Sequence, residues 1–250
     1  MDINNAFLHG KLDEIVYMQQ PPGFKDDSKP NHVCRLRKAI YGLKQAPRAW
    51  YLALKNALLK TGFLNSLADS SLFIYIHGSI ICYLLVYVDD LVLTGNDVNF
   101  VNYIVNYLGS QFSLKDMGQL HFFLGVEVLP TKHGIFLSQH QYINDLLTTT
   151  NMLGAKLVST PLSTSTPLKL IDGTTTFDRT TYRQVLGSLQ YLSLTRPDIS
   201  FAVNKLSQFM HKPTQAHWTA AKRLLRYLKH TVFYGIHLTS ASLSTLTTFF

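Results

Sequence analysis

Cysteine is scarce: Cys34 and Cys82 are the only two in 250 residues, too few for a disulfide framework and without partners at metal-ligand spacing. His32 stands two positions before Cys34, but one such pair does not build a zinc site. Long apolar runs are also missing. The most apolar stretch, Ile80 to Leu93, is interrupted by Asp89 and Asp90, and its unbroken part ends at Val88. That part is far short of the ~20 residues a membrane-spanning helix needs. No charged segment followed by an apolar one opens the chain, so no signal peptide is expected and the reading is intracellular and reduced, with no membrane partner. Negative charge is absent over two long stretches. Between Ser28 and Ala68 there are eight basic residues and no acid, and between Ile199 and Phe250 six and none.

What is present suits a folded chain. Hydrophobic residues make up 46% and aromatics 12%, enough for a core. The formal charge is +8, with 23 basic residues against 15 acidic. Its segregation into blocks suits a long polyanion rather than a small neutral ligand. A basic soluble surface with no partner fits the charge equally well.

Val16 to Gly23 reads as an extended piece running into the Pro21-Pro22-Gly23 turn. Pro47 opens a helix carrying Trp50, Ala53, Leu54, Ala57 and Leu58 at helical spacing, closed by Gly62. Leu72–Ile76 and the run from Ile80 to Leu93 read as strands. Asp97 is placed to cap a helix reaching Leu108. Leu120–Val128 is a further strand candidate, with Ile135–Leu137 its hairpin partner. Ser138 caps a helix with Tyr142, Ile143, Leu146 and Leu147 on one face. The Thr- and Ser-rich stretch 159–176, with Pro161 and Pro167, reads as a linker. Helices are expected over about 182–194, 198–210 and 216–229. Both ends look like cuts in something longer.

Asp89 and Asp90 are the most informative pair. They are the only charges between Ser79 and Asn96, inside a run otherwise fit for a buried strand. Adjacent carboxylates there repel one another and lose solvation. At a tight turn between two antiparallel strands they would face a cation, and hard oxygen ligands suit magnesium. An ordinary hairpin turn with two solvated aspartates is the competing reading. Asp2 is a candidate third carboxylate, which spacing alone does not bring there.

Tyr87-Val88-Asp89-Asp90 resembles the signature hairpin of reverse transcriptases. Asp2-Ile-Asn-Asn-Ala-Phe-Leu-His-Gly10, Tyr17-Met-Gln-Gln-Pro-Pro-Gly-Phe24 and Leu43-Lys-Gln-Ala-Pro-Arg-Ala-Trp50 are similar to the polymerase of copia-type retrotransposons. So are Phe123-Leu-Gly-Val-Glu127, Thr195-Arg-Pro-Asp-Ile199 and Ala221-Lys-Arg-Leu-Leu-Arg-Tyr-Leu228, and the likeness runs in family order over about residues 1–240.

The resemblance implies an α+β right-hand polymerase: a palm with an antiparallel sheet and packed helices, then a mostly helical thumb and connection. Residues 1–137 would be partial fingers and palm, 138–158 the start of the thumb, 159–176 a linker, 177–238 the helical thumb and connection, and 239–250 a tail outside the family. Asp2, Asp89 and Asp90 would be catalytic and would hold two magnesium ions, with Asp90 less directly in contact. Phe7 stands where an aromatic gate excludes a ribose 2′-hydroxyl. Read without the resemblance, Phe7 is a core residue. Gly42, Lys44, Gln45 and Tyr87 would meet the nucleotide, and Phe123, Leu124 and Gly125 would form a primer grip. Read alone, Lys44 is a solvated lysine and 123–127 an amphipathic strand with one exposed acid. Arg48, Lys222, Arg223 and Arg226 would meet nucleic acid.

The implied partners are an RNA template, a DNA primer and deoxynucleoside triphosphates, in a cytoplasmic particle or the nucleus. Ribonuclease H, integrase and protease parts of a polyprotein are absent, and no acid follows Asp198. A palm strand upstream of Asp2 would also be missing. Asp2 is therefore expected to be a mobile, near-terminal residue that cannot be held at metal distance, and the chain alone to show little or no polymerase activity. The alternative is a decayed or co-opted fragment that binds nucleic acid without catalysis. A magnesium-dependent nuclease of unrelated fold would leave the other motifs unexplained.

Overall fold

A computed structural model describes residues 1–163 and 167–239. The expected tail lies outside them except for Thr239. The chain divides into two compact units, Met1–Gln119 and Leu120–Phe250. Both mix helices with antiparallel sheet, and the described residues hold six α-helices.

In the first unit, β1 (Asp2–Ile3) leads through a 3-10 turn (Ala6–His9) to β2 (Lys11–Gln19) and β3 (Val33–Lys38). Then come α1 (Ala46–Lys60), β4 (Leu64–Asn65), β5 (Leu72–His77), β6 (Ile80–Tyr87), β7 (Asp90–Gly95), α2 (Val98–Gln111) and β8 (Leu114–Lys115). Six strands form one sheet in the order β4-β5-β6-β7-β1-β8, while β2 and β3 pair separately. Strand β3 was not expected: its alternating basic residues draw attention as charge rather than as a strand.

The core follows from period. Pro47 occupies the first turn of α1, where its missing N–H costs nothing, and Gly62 lies beyond the helix end at φ 90°. Trp50, Leu54 and Leu58 fall on one face of α1 and are buried. Asp97 caps α2 by accepting from the Phe100 amide at 2.7 Å, and α2 contributes Ile104 and Leu108. These side chains pack with Phe73, Leu84, Val86 and Leu91 of the sheet and with Ile3. One sheet face is thus covered by helices, and the alternate residues of each strand point the other way.

In the second unit, β9 (Phe122–Phe123), β10 (Val126–Thr131) and β11 (Gly134–Ser138) precede α3 (His140–Thr149). After α4 (Arg179–Leu192), a 3-10 turn (Pro197–Ile199) enters α5 (Ser200–Ser207). Last are α6 (Gln215–His230) and β12 (Ile236–Thr239), which joins the sheet order β12-β11-β10-β9. The single strand expected over Leu120–Val128 is a hairpin instead, broken by a tight turn at Leu124–Gly125. Helix packing buries Ile143, Leu147, Leu186, Leu189, Leu206, Leu224 and Leu228 in one core.

The described parts of the stretch 159–176 do not run free. Leu162 and Leu168 pack on that core. Thr214 and His217, at the start of α6, hydrogen-bond Asp172 and the Lys169 carbonyl at 2.6 and 3.0 Å.

Candidate active site

The hairpin of β6 and β7 turns through two residues, Val88 and Asp89, since Tyr87 faces Asp90 across the ladder. Such tight turns need positive φ at the first central position, which suits Gly or Asn. Here Val88 adopts it, at φ 56°. Left-handed backbone costs an L-residue roughly 1–2 kcal/mol, and a β-branched residue has no local compensation. The turn is fastened from the helix side: the Trp50 indole donates to the Val88 carbonyl at 2.6 Å.

Asp2 reaches this hairpin through the sheet. It pairs with Asp90 on one side and Lys115 on the other. The Ile3 amide donates to the Asp89 carbonyl and the Leu91 amide to the Met1 carbonyl, both at 2.9 Å. Ile3 is fully buried. Alternation therefore turns Asp2 and Asp90 to the face away from the helices, where directly opposed residues have Cβ atoms about 5 Å apart. Asp2, expected to be a mobile near-terminal residue, lies in a two-residue β1 that is paired on both edges.

The carboxylates feel one another. Loss of solvation, then the charges of Asp89 and Asp2, push Asp90 above the usual carboxylate range, and the nearby Met1 ammonium only partly opposes this. No Lys or Arg forms an ion pair with any of the three among the described residues. Three hard oxygen donors with no Lys or Arg ion-paired to them suit a divalent cation in donor type. The side chains are not gathered as they stand: no cluster of three or more His, Cys, Asp or Glu among the described residues is arranged to hold a metal.

The other expected residues of this unit lie on several elements. The Phe7 ring, on the 3-10 turn, packs against Tyr41 with centroids 4.7 Å apart. Gly42 takes φ 95°, in the left-handed region its lack of Cβ allows. Lys44 is exposed. Gln45 donates to Glu14 at 3.1 Å. Tyr87 is exposed beside the carboxylates. Arg48 lines a cavity of about 580 Å³ with Lys11, Gln45, Asn56 and Lys60, to which none of the three aspartates contributes.

Phe123, Leu124 and Gly125 lie in the second unit. Leu124 and Gly125 both have positive φ, 47° and 75°. The Tyr191 hydroxyl of α4 donates to the Leu124 carbonyl. Glu127 is engaged rather than idle: its carboxylate accepts from the Gln141 amide at 2.8 Å, in the first turn of α3.

On α6, Arg223 donates to Thr160 Oγ1, Arg226 to the Lys156 carbonyl and Lys229 to the Ala155 carbonyl, at 2.7, 2.6 and 2.9 Å. These cations fasten the chain entering 155–160, yet keep their charge, because carbonyls and hydroxyls do not neutralise it. Lys222 is half-buried. The Thr195–Ile199 motif also acquires a role. Arg196 is 1% exposed, forks onto Asp198 at 2.9 and 2.8 Å, and donates to the Thr231 carbonyl and hydroxyl. Sequence reasoning missed Trp50, Tyr191 and Arg196, although Trp50 and Arg196 stand inside motifs it singled out.

Residues 1–164 match the family model described as "Reverse transcriptase (RNA-dependent DNA polymerase)". The chain belongs to this reverse transcriptase family. It is 56% identical over 238 residues to the retrovirus-related Pol polyprotein from transposon RE1 of Arabidopsis thaliana, covering 95% of this chain and 16% of that polyprotein. It is 37% identical over 242 residues to the Pol polyprotein from transposon TNT 1-94 of Nicotiana tabacum, covering 92% and 18%. A putative transposon Ty5-1 protein of Saccharomyces cerevisiae is 36% identical over 230 residues, covering 91% and 75%. The reverse transcriptase chain thus spans about a sixth of these two Pol polyproteins, as a copia-type Pol fragment. No solved structure gives a significant match. Among its described residues no helix is long and apolar enough to cross a membrane.

Proposed function

We propose that the chain is the RNA-directed DNA polymerase part of a copia-type Pol polyprotein, extending a DNA primer on an RNA template. The observation that carries this is the opposition of Asp2 and Asp90 across the sheet at the tip of a hairpin that also presents Asp89. In this reading residues 1–137 are partial fingers and palm, 138–158 the start of the thumb and 177–238 the helical thumb and connection.

Asp2 and Asp89 would be the principal holders of two magnesium ions, with Asp90 beside them. When bound, such ions lower the pKa of the primer 3′-hydroxyl and stabilise charge on the triphosphate and leaving pyrophosphate. The chain's own residues bind and orient. Phe7, set against Tyr41, would stand against the sugar and exclude a 2′-hydroxyl. Gly42, Lys44 and Gln45 would line the approach of the nucleotide, with Tyr87 beside the carboxylates. The turn at Phe123–Gly125 would hold the primer end. Arg48, Lys222, Arg223 and Arg226 would attract backbone phosphates. Unneutralised charge supports that: Arg196–Asp198 is the one Lys/Arg–carboxylate ion pair among the described residues. Binding through phosphates would be strongly salt-dependent and indifferent to sequence.

The test is primer extension on an RNA template, by this chain and by the chain within its Pol polyprotein, with Asp89→Asn in each. Magnesium-dependent incorporation of deoxynucleotides should fall at least about a thousandfold in the variant while duplex affinity stays within about twofold. Duplex binding without extension in either context would favour a fragment that binds nucleic acid and performs no chemistry.

A further inference from the structure

The carboxylates depend on a turn whose own residues resist it. Val88 is β-branched and holds φ 56°. In a two-residue turn the carbonyl of the first central residue takes no part in the ladder, so its hydrogen bond must come from elsewhere. It comes from Trp50, which is 2% exposed and donates at 2.6 Å. The ring itself is gripped. Phe112 meets it edge-on with centroids 5.2 Å apart, and His9 lies at 6.0 Å. Gly10 lets α1 come this close: a Cβ there would lie 2.8 Å from Ala49 Cβ and from the Trp50 amide nitrogen.

We propose that Trp50 is a positioning residue, whose indole N–H holds the Val88–Asp89 turn in its left-handed form and so sets Asp89 and Asp90 against Asp2. The proposal rests on the reading of those three aspartates as the metal-holding site. A tryptophan that merely filled the core would need its ring and not its N–H. Two backbone amides report the difference, because Ile3 donates to Asp89 and Leu91 to Met1, locking β1 to the hairpin.

Trp50→Phe keeps an aromatic ring and removes the donor. Metal-free hydrogen exchange at Ile3 and Leu91 should quicken about tenfold, while the β5–β6 ladder stays as it was. Val88→Asn, more at ease with positive φ, should restore slow exchange in the double variant. Manganese binding, followed by electron paramagnetic resonance, should weaken about tenfold in Trp50→Phe. Leu54→Val, on the same buried face of α1, is the control for general loosening.

The chain has two tryptophans. A Trp218→Phe background therefore allows Trp50 alone to be replaced by benzothienylalanine, which keeps the ring's shape, lacks the N–H and avoids a cavity should Trp50→Phe fail to fold. Unchanged exchange at Ile3 and Leu91 in the benzothienylalanine protein would overturn the proposal, as would equal quickening in Leu54→Val. Failure of the unaltered chain to bind manganese would instead overturn the metal-site reading, and the exchange rates would still decide the role of Trp50.

Discussion

The tip of the β6–β7 hairpin and the second unit treat their acids in opposite ways. In the second, Asp172, Asp178 and Asp198 are each answered by donors. Burial pushes Asp198 up, but the Arg196 fork and the Tyr227 hydroxyl more than offset it and leave it below the usual range. Asp178 is lowered by the Thr181 amide that it caps. Asp172 is lowered to about 2 by the Thr174 hydroxyl, then by the Thr214 hydroxyl and the Thr174 amide. In the first unit Asp90 goes the other way, raised by lost solvation and by Asp89 and Asp2. Acids that hold a fold together acquire donors. Acids brought together without donors raise the energy of the fold, and a cation would relieve them.

The largest way to break this contrast is Arg196→Ala. It leaves Asp198 and the Thr231 groups without their partner, and unfolding free energy should fall by about 3 kcal/mol in denaturant titration, the lower end for a broken buried pair because Asp198 is half-exposed. Replacing both residues, as Arg196→Met with Asp198→Asn, should cost less than the two single changes added together.

Asp90→Asn should act in reverse. A carboxyl whose folded pKa is raised contributes stability that is present below its unfolded pKa and lost as pH rises through the folded one. At pH 7 the variant should therefore melt slightly higher than the unaltered chain, by no more than roughly 2 °C given solvent screening, and the gap should close near pH 3. A lower melting temperature at pH 7 would mean that Asp90 supports the fold.

The smallest effect concerns Asp172. Its depressed pKa contributes stability above the unfolded value near 4, which is lost as pH falls through about 2. The Thr174 amide, which donates to Asp172 at 2.8 Å, should follow that titration by NMR with a midpoint near 2. A midpoint near 4 would dissolve the contrast between Asp172 and the hairpin tip.

Much of this was legible in residue order. Helices α1 and α2 announce themselves through period, Pro47 and the Asp97 cap, and the β6–β7 turn through two charges within an apolar run. Where one residue does two jobs, the pattern hides the second. Trp50 satisfies helical spacing as core, so nothing marks its N–H as the donor to Val88. Leu124 is a poor turn residue, so the hairpin it forms reads as a continuous strand. Arg223 and Arg226 read as phosphate-facing, because donation to a hydroxyl 63 and a carbonyl 70 positions away leaves no trace in composition. Asp2 was placed by resemblance alone, since β1 is too short to show a period.

That two-residue strand bears on how the chain folds. It lies inside the six-stranded sheet, between β7 and β8, and Met1 just before it is bonded to Leu91, 90 positions further on. At ribosomal speeds of about 5–20 residues per second, Met1 waits roughly 5–20 s before Leu91 exists to receive it. Contacts so distant in sequence also form slowly, because a long loop must first be closed. The β5–β6–β7 meander is built from neighbours and can form without β1. The three aspartates should therefore come together late, when β1 enters the slot between β7 and β8, which makes arrival of the aspartates a marker that the first unit has finished folding.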